Sequence, residues 1–200
     1  MNRRRALIAL LSLGLLAACQ RDLSNAETEE SRFQRWQSAH AAEGGAYRAW
    51  LEAQGMADVA PLSSLLRTSR RWRQCDLPEF AVPPRAQWPQ LLPTLRLLHQ
   101  LQSEGLLDGR RIRSGWRDAR NNQCSGGSSR SQHLANRALD LDLDPAVPPA
   151  RLCGYWRRHG PDRAMGLGFY SPERIHIDTA GFRTWGTDHR RGTSLCIQPK

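Results

Sequence analysis

Lysine is almost absent from this sequence, and its scarcity makes the positive charge nearly all arginine. Lys200 is the only lysine among 29 lysine and arginine residues, and with 19 acidic residues the formal net charge is +10 at pH 7. A basic surface suits nucleic acid, anionic lipid or an acidic polymer, but no basic run exceeds three residues. Charge alone therefore does not select a partner.

Several common signatures are also missing. There is no internal repeat of solenoid length. The H-E-x-x-H, G-x-S-x-G and Walker patterns are absent too, which argues against the enzyme classes built on them. The chain has 200 residues, of which 40% are apolar and 24% charged, as in a globular domain with extra segments. Its 16 glycines and 12 prolines indicate many turns, which argues against an all-helical bundle.

The N-terminal apolar run is too short to cross a bilayer. Residues 6–18 follow three arginines and end in Leu16-Ala17-Ala18-Cys19, which is typical of a signal peptide over residues 1–18. This ending resembles the lipobox of bacterial lipoproteins, which implies cleavage before Cys19, lipid on its thiol and attachment to a membrane. An ordinary cleavage site beside a cysteine is the alternative. Gln20, in place of an inner-membrane retention aspartate, favours the periplasmic face of the outer membrane.

Export leaves an even number of cysteines in an oxidising compartment, which predicts two disulfides. A four-cysteine zinc site would need close C-x-x-C pairs, and the sequence has none. Three pairings remain open for the four candidates, Cys75, Cys124, Cys153 and Cys196.

The predicted organisation is a lipid anchor, helical N-terminal region and proline-rich connection over residues 19–88, followed by one domain over residues 89–200. Apolar spacing and breakers predict helices from residue 24 to Gly44-Gly45, over 47–54, over 61–73, from 91 to Gly105, and from 148 to 159. Residues 121–131 are predicted to form a Gly/Ser/Asn loop. Short strands are predicted at 111–116, 139–144, 167–170 and 174–178, so the fold class is α+β.

Two of these strands carry residues suited to bind a metal. In the first, alternating Leu and Asp place Asp140 on the face opposite the leucines. In the second, His176 and Asp178 share one face, while Ile175 and Ile177 pack inward. Imidazole and carboxylate are the usual ligands of a catalytic Zn²⁺, which keeps an open position for water. His133, Asp140 and His176 are therefore a candidate zinc site, although a lone strand histidine is more often only a polar residue.

An ordered set of motifs resembles a known family. It comprises Ser114-Gly115-Trp116-Arg117, Gly126-Gly127-x-Ser129-x-Ser131-x-His133-x4-Ala138-x-Asp140, Gly166-x-Gly168-Phe169-Tyr170 and His176-x-Asp178. Over roughly residues 90–190 the chain resembles the zinc D-Ala-D-Ala carboxypeptidases and murein endopeptidases of the VanX/VanY type. The resemblance implies a hedgehog/DD-peptidase-like fold with a small antiparallel sheet and flanking helices.

The resemblance also implies roles for individual residues. His133, Asp140 and His176 would hold the zinc, Arg117 would bind substrate and steady the oxyanion, and Ser131 would position substrate. Glu173 resembles the general base of an E-x-x-H arrangement, and Asp178 is the alternative base or a residue that orients His176. Asn136 replaces the family glycine, and asparagine tolerates the positive φ of such a turn.

The resulting prediction is a zinc peptidase that acts on peptidoglycan stem peptides or cross-links next to D-amino acids. The alternative is a non-catalytic peptidoglycan-binding or envelope-organising lipoprotein that keeps the fold. Nucleic acid is excluded as a partner because the chain carries an export signal. The oligomeric state is left open.

Overall fold

The computed structural model describes residues 27–197. The predicted signal peptide and Cys19 lie outside these residues. The chain divides after Ala39 into two compact units, which are described separately. In the described part, no helix combines the length and apolar character that a membrane crossing requires. The predicted domain boundary at residue 88 stays a prediction.

Within residues 27–39, the described part of the N-terminal unit, the chain forms helix α1 (Glu29–Ala39). The second unit contains five α-helices among the described residues, and helices α3 and α5 are short. Their bounds are α2 (Ala41–Ala53), α3 (Leu62–Leu65), α4 (Leu92–Ser103), α5 (Ala119–Cys124) and α6 (Pro149–His159). Short 3-10 helices cover Arg85–Leu91, Gly109–Arg111, Pro161–Arg163 and Arg191–Thr193.

A five-stranded sheet forms the centre of the second unit, in the order β1-β2-β4-β3-β5. Its neighbours are antiparallel except for β3 and β5, which run parallel. The strands are β1 (Ile112–Ser114), β2 (Ala138–Asp142), β3 (Gly166–Ser171), β4 (Arg174–Asp178) and β5 (Arg183–Trp185). The predicted α+β class and mostly antiparallel sheet are confirmed.

The register of the sheet determines which side chains meet. Asp140 of β2 lies directly opposite His176 of β4. Because side chains alternate along a strand, the intervening residues project to the other face, where the leucines and isoleucines are fully buried: Leu139, Leu141, Ile175 and Ile177. One face of the sheet is therefore apolar core, as predicted, and the other carries polar groups.

Three local predictions are wrong. The break after the first helix falls at His40, and Gly44-Gly45 lies inside α2, because a glycine costs a helix only about 1 kcal/mol relative to alanine and does not end it. The helix predicted over 61–73 ends at Leu65, because the next residues form a β-bridge between Arg67 and Phe80. The first residues of the predicted loop over 121–131 belong to helix α5. Asp118 caps the N-terminus of this helix, where its carboxylate accepts a hydrogen bond from the Asn121 N–H at 2.7 Å.

The four predicted cysteines form two disulfides. Cys75 pairs with Cys124, and Cys153 pairs with Cys196. This selects one of the three pairings that the sequence left open. The first disulfide joins the segment after Arg71 to the end of α5, and the second joins α6 to the C-terminal segment.

Candidate metal centre and active-site cleft

Three donor atoms converge on the polar face of the sheet, and we call the residues that carry them the ion cluster. His133 Nε2 lies 3.1 Å from Asp140 Oδ1 and 3.2 Å from His176 Nδ1, and that Nδ1 lies 3.0 Å from the same Oδ1. All three residues are buried. The structure thus brings together the ligand set that the sequence predicted, from a turn and two neighbouring strands.

The second nitrogen of each imidazole has a partner that fixes the tautomer. His133 Nδ1 lies 2.6 Å from the Gly115 carbonyl oxygen, which can only accept, so this nitrogen carries the hydrogen. His176 Nε2 donates to Asp178 Oδ2 at 2.8 Å. In each neutral ring, the nitrogen that faces the ion cluster is therefore a lone pair. Such anchoring of the second nitrogen is typical of metal-binding histidines.

The charge state of the ion cluster suits a cation. Burial, together with the Arg117 guanidinium, lowers the pKa of His133 to about 4, so this ring is neutral at pH 7. Burial opposes ionisation of Asp140, but His133 and Arg117 outweigh it and hold the pKa of its carboxyl well below the usual value. Burial also lowers the pKa of His176, but the Asp140 and Asp178 carboxylates overcome burial and raise it. Their negative charge favours a positive charge beside this ring, which a metal ion at Nδ1 would supply in place of a proton.

The donor set fits zinc. Three ligands at 2.0–2.1 Å from a tetrahedral zinc ion lie about 3.3 Å apart, and the donors here are separated by 3.0 to 3.2 Å. Two imidazole lone pairs and an ionised carboxylate facing one another are three acceptors, which a cation stabilises. Among the described residues, His133, Asp140 and His176 form the group of histidine and acidic side chains whose ligand atoms lie close enough together to hold a metal ion.

Asp178 orients His176 from beneath the cleft. Its side chain is fully buried. Its two oxygens accept from Arg183 Nη1 at 2.9 Å and Nη2 at 2.6 Å, and the Ala180 N–H donates to Oδ1 at 2.8 Å. Burial raises the pKa of this carboxyl, but the bond with His176 and the Arg183 guanidinium outweigh burial and lower it to about 2. Asp178 is thus a buried anion bonded to His176, as one of its two predicted roles requires.

Arg117 and Ser131 lie beside the ion cluster. The Arg117 guanidinium is buried, donates through Nη2 to Asp140 Oδ2 and through Nε to Ser114 Oγ at 2.9 Å. Ser131 lines the cleft, and its hydroxyl lies 3.4 Å from the His133 backbone nitrogen. Their predicted contacts with substrate stay predictions.

Glu173 is placed differently from Asp178. It is exposed in the turn before β4, and its carboxylate accepts from Ser171 Oγ at 2.9 Å. Glu173 is not among the residues that line the cleft. Its role as general base stays a prediction, and the arrangement in this structure does not direct its carboxylate to the ion cluster.

Three residues that the sequence did not place at the ion cluster surround it. The Tyr170 hydroxyl donates to Asp140 Oδ1 at 3.2 Å, and burial together with Asp140 raises the pKa of this phenol, so it stays protonated. The Trp185 ring packs 5.1 Å from the His176 ring, and Arg183 holds Asp178. Trp185 and Arg183 belong to β5, and a strand of three residues is too short to show an alternating pattern of apolar and polar residues in the sequence.

The glycines of β3 leave room for these groups. A Cβ at Gly168 would lie 2.3 Å from Trp185 Cε2, and one at Gly166 would lie 2.6 Å from Asp178 Oδ2. Both glycines belong to the Gly166-x-Gly168-Phe169-Tyr170 motif of the resemblance. The physical reason for the two glycines is that β3 has no room for a side chain where the Trp185 ring and the Asp178 carboxylate pack against it.

A cleft of about 860 Å³ opens onto the ion cluster, within the size range of small-molecule and peptide sites. Its floor contains Asp140, His176 and Tyr170, and Trp185 forms one wall. Most of the other lining residues come from three segments of the chain, within 69–71, 125–132 and 183–191. This part of the surface is rich in arginine.

Comparison with known proteins gives one match. A family model described as Peptidase M15 matches residues 81–178, a segment that contains the whole ion cluster and Arg117. No curated protein and no solved structure matches the chain. The matched segment ends at Asp178, so β5 and the rim residues that follow it lie outside the match.

Proposed function

Because residues 81–178 belong to the Peptidase M15 family of metallopeptidases, we propose that this chain is a zinc-dependent peptidase. Its substrates are peptidoglycan stem peptides or cross-links, and it hydrolyses bonds next to D-amino acids. The observation that carries the proposal is the convergence of His133 Nε2, Asp140 Oδ1 and His176 Nδ1. Two of these residues, Asp140 and His176, line an open cleft.

The side chains of the site have different proposed roles. His133, Asp140 and His176 would hold zinc, which supplies a water of pKa about 7 and polarises a carbonyl when bound. Gly115 and Asp178 keep the two imidazoles in the required tautomers. The buried Arg117 guanidinium has five N–H donors, more than its bonds with Asp140 and Ser114 use. It therefore presents donors at the same floor, where an amide oxygen gains negative charge during hydrolysis.

One observation favours the alternative of a binding module. A hydrolase needs a group that takes the proton from the attacking water, and Asp140 is the only carboxylate among the described residues that line the cleft. Asp140 is already occupied by the imidazoles and Arg117. Glu173 would have to turn from Ser171 towards the cleft to serve as the base.

The test is mass analysis of defined muropeptides incubated with the zinc-loaded full chain. We expect product release from the wild type, and we expect His133→Ala to lose zinc and to reduce turnover by about a thousandfold or more. His99→Ala, at an exposed histidine of α4, is the matched control and keeps both. Full activity in His133→Ala would refute the proposal. A wild type that binds muropeptide and releases no product would support the binding module.

Glu173→Gln tests the base separately. If Glu173 takes the proton, this variant keeps its zinc and loses turnover. Wild-type turnover in Glu173→Gln would assign proton transfer to another group and leave the metal assignment intact.

Attachment to the periplasmic face of the outer membrane through lipid on Cys19 is part of the proposal. The resemblance of residues 16–19 to a lipobox supports it. The two disulfides also support it, because they persist in an oxidising compartment.

A further inference from the structure

Among the described residues, seven arginines line the cleft, and only three of them pair with carboxylates of the sheet. Three of its arginines pair with carboxylates of the sheet: Arg70 with Asp142, Arg117 with Asp140, and Arg183 with Asp178. Four more arginines line the same cleft, and we call them the arginine rim: Arg71, Arg130, Arg174 and Arg191. All four are exposed.

The arginine rim has no anionic partner within residues 27–197. None of its four members forms an ion pair with an Asp or Glu side chain there. Asp140 contributes the single carboxylate of the described cleft lining, and Arg117 already binds it. Four like charges facing one concavity repel one another, and an anion in the cleft relieves this repulsion.

The four positions come from separate parts of the chain. Arg71 follows the bridge at Arg67, Arg130 lies in the loop after α5, Arg174 begins β4, and Arg191 begins the last 3-10 helix. They are brought together by the fold and not by one basic run, and they surround the mouth of the site. A ligand in this cleft therefore meets charge on several sides at once.

We propose that the arginine rim selects stem peptides whose carboxylates are free over the same peptides with those carboxylates amidated. This inference rests on the proposed function, which identifies the ligand as a stem peptide. Such a peptide offers carboxylates on its acidic and diamino-acid residues and at its C-terminus. Guanidinium groups bind carboxylates through paired N–H donors, and amidation removes the charge with little change of shape.

A flat anionic membrane surface fits this arrangement less well. The four arginines line a concavity of about 860 Å³ that ends at the ion cluster, whereas a bilayer meets the convex parts of a protein surface. Concave sites also focus the electrostatic field of their lining charges. The convergence on the cleft favours a ligand that enters it.

The experiment compares two synthetic stem peptides that differ only in amidation of their carboxylates. For the zinc-loaded full chain in non-ionic detergent, kcat/KM and Kd are measured for each peptide. We expect the free-acid peptide to be preferred by about tenfold, and the preference to shrink as salt rises from about 0.05 M to about 0.5 M. We expect the difference in KM and not in kcat, since the arginine rim lies outside the ion cluster.

Single substitutions of rim arginines by glutamine are the matching variants. Arg130→Gln and Arg174→Gln should each weaken binding of the free-acid peptide by about two- to fivefold, with the amidated peptide unaffected. Arg96→Gln, at an exposed position of α4 outside the cleft, is the control and should change neither. Zinc content should stay at the wild-type level in all three.

The outcomes separate this inference from the proposed function. Equal kcat/KM and equal Kd for the two peptides, or equal losses on both in the rim variants, would overturn the inference while hydrolysis stands. If neither peptide is cleaved, tighter binding of the free acid that Arg130→Gln weakens would uphold the arginine rim and refute the hydrolase. Equal peptide binding, with rim variants losing only their affinity for phosphatidylglycerol vesicles, would show a lipid surface instead.

Discussion

The floor and the rim of the cleft are built in opposite ways. On the floor, each imidazole is buried and held through its second nitrogen, and each carboxylate has an arginine partner. On the rim, four exposed arginines have no carboxylate partner among the described residues. The floor is thus organised before any ligand arrives, whereas the rim is complemented only when an anion enters. In the proposed function, the floor supplies the reaction, and in our inference the arginine rim supplies selectivity.

The family match follows the same division. Residues 81–178 include every member of the ion cluster. Arg71 precedes that segment and Arg191 follows it. The matched core therefore carries the floor, while half of the arginine rim belongs to flanking segments.

For zinc affinity, the largest effect we expect from a residue that is not itself a metal ligand comes from Asp178, whose carboxylate orients His176. Asp178→Asn keeps the size of the side chain but removes the charge that holds the imidazole and Arg183. Because partners of this kind orient metal ligands, zinc affinity should fall by about 10- to 100-fold. The measurement is a competitive zinc titration with a chromophoric chelator.

Asp144→Asn is the control for that variant. Asp144 pairs with Arg111 away from the cleft, so its replacement should leave zinc affinity unchanged. Unchanged zinc affinity in Asp178→Asn would contradict the view that the floor is fixed from beneath.

Much of the floor could be predicted from the sequence, because it lies on regular structure. Alternation in Leu139–Asp142 and in Arg174–Asp178 gives each strand its polar face, and the register then places Asp140 beside His176. Local rules suffice for such elements. Asn136 was also predicted to take a positive φ, and its φ of 52° confirms this.

The rim could not be predicted in the same way. Arg71 lies in a region where apolar spacing predicted a helix, and a long-range bridge between Arg67 and Phe80 overrides that preference. Arg191 follows β5, a strand that forms only by pairing with β3. Contacts between distant segments position these arginines, and a single sequence shows no period for them.

The next effect concerns the disulfides, which tie the rim segments. Cys75–Cys124 links the segments that carry Arg71 and Arg130, and the two cysteines have a sequence separation of 49. Replacing both cysteines by serine should lower the free energy of unfolding by about 4 kcal/mol. The reason is that the unfolded chain gains conformational entropy when a loop of this size is no longer closed. We also expect KM for the free-acid peptide to rise several-fold, with zinc content unchanged.

Cys153–Cys196 provides the comparison, because its separation of 43 residues is similar. Its removal should cost about the same free energy of unfolding but should affect only the segment of Arg191. Chemical denaturation and steady-state kinetics measure the two effects. Loss of zinc in the double variant of Cys75 and Cys124 would show that the rim and floor are not independent.

The smallest effect compares one backbone position of the floor with one of the rim. Asn136 leads into β2 with φ 52°, is buried, and donates through Nδ2 to the Gln87 carbonyl at 3.1 Å. His189 on the rim has φ 62° and is exposed. Asn136→Ala should cost about 2 to 3 kcal/mol of unfolding free energy, from a strained φ and a lost buried hydrogen bond.

Glycine separates these two costs. Asn136→Gly relieves the φ but still loses the hydrogen bond, so it should cost only about 1 kcal/mol. His189→Gly has no such bond to lose and should change stability by at most a few tenths of a kcal/mol, about the scale of an exposed site. Thermal unfolding of the three variants at matched zinc content measures the differences. Equal losses in Asn136→Ala and Asn136→Gly would mean that the hydrogen bond, and not the left-handed backbone, fixes the turn from His133 to Asp140.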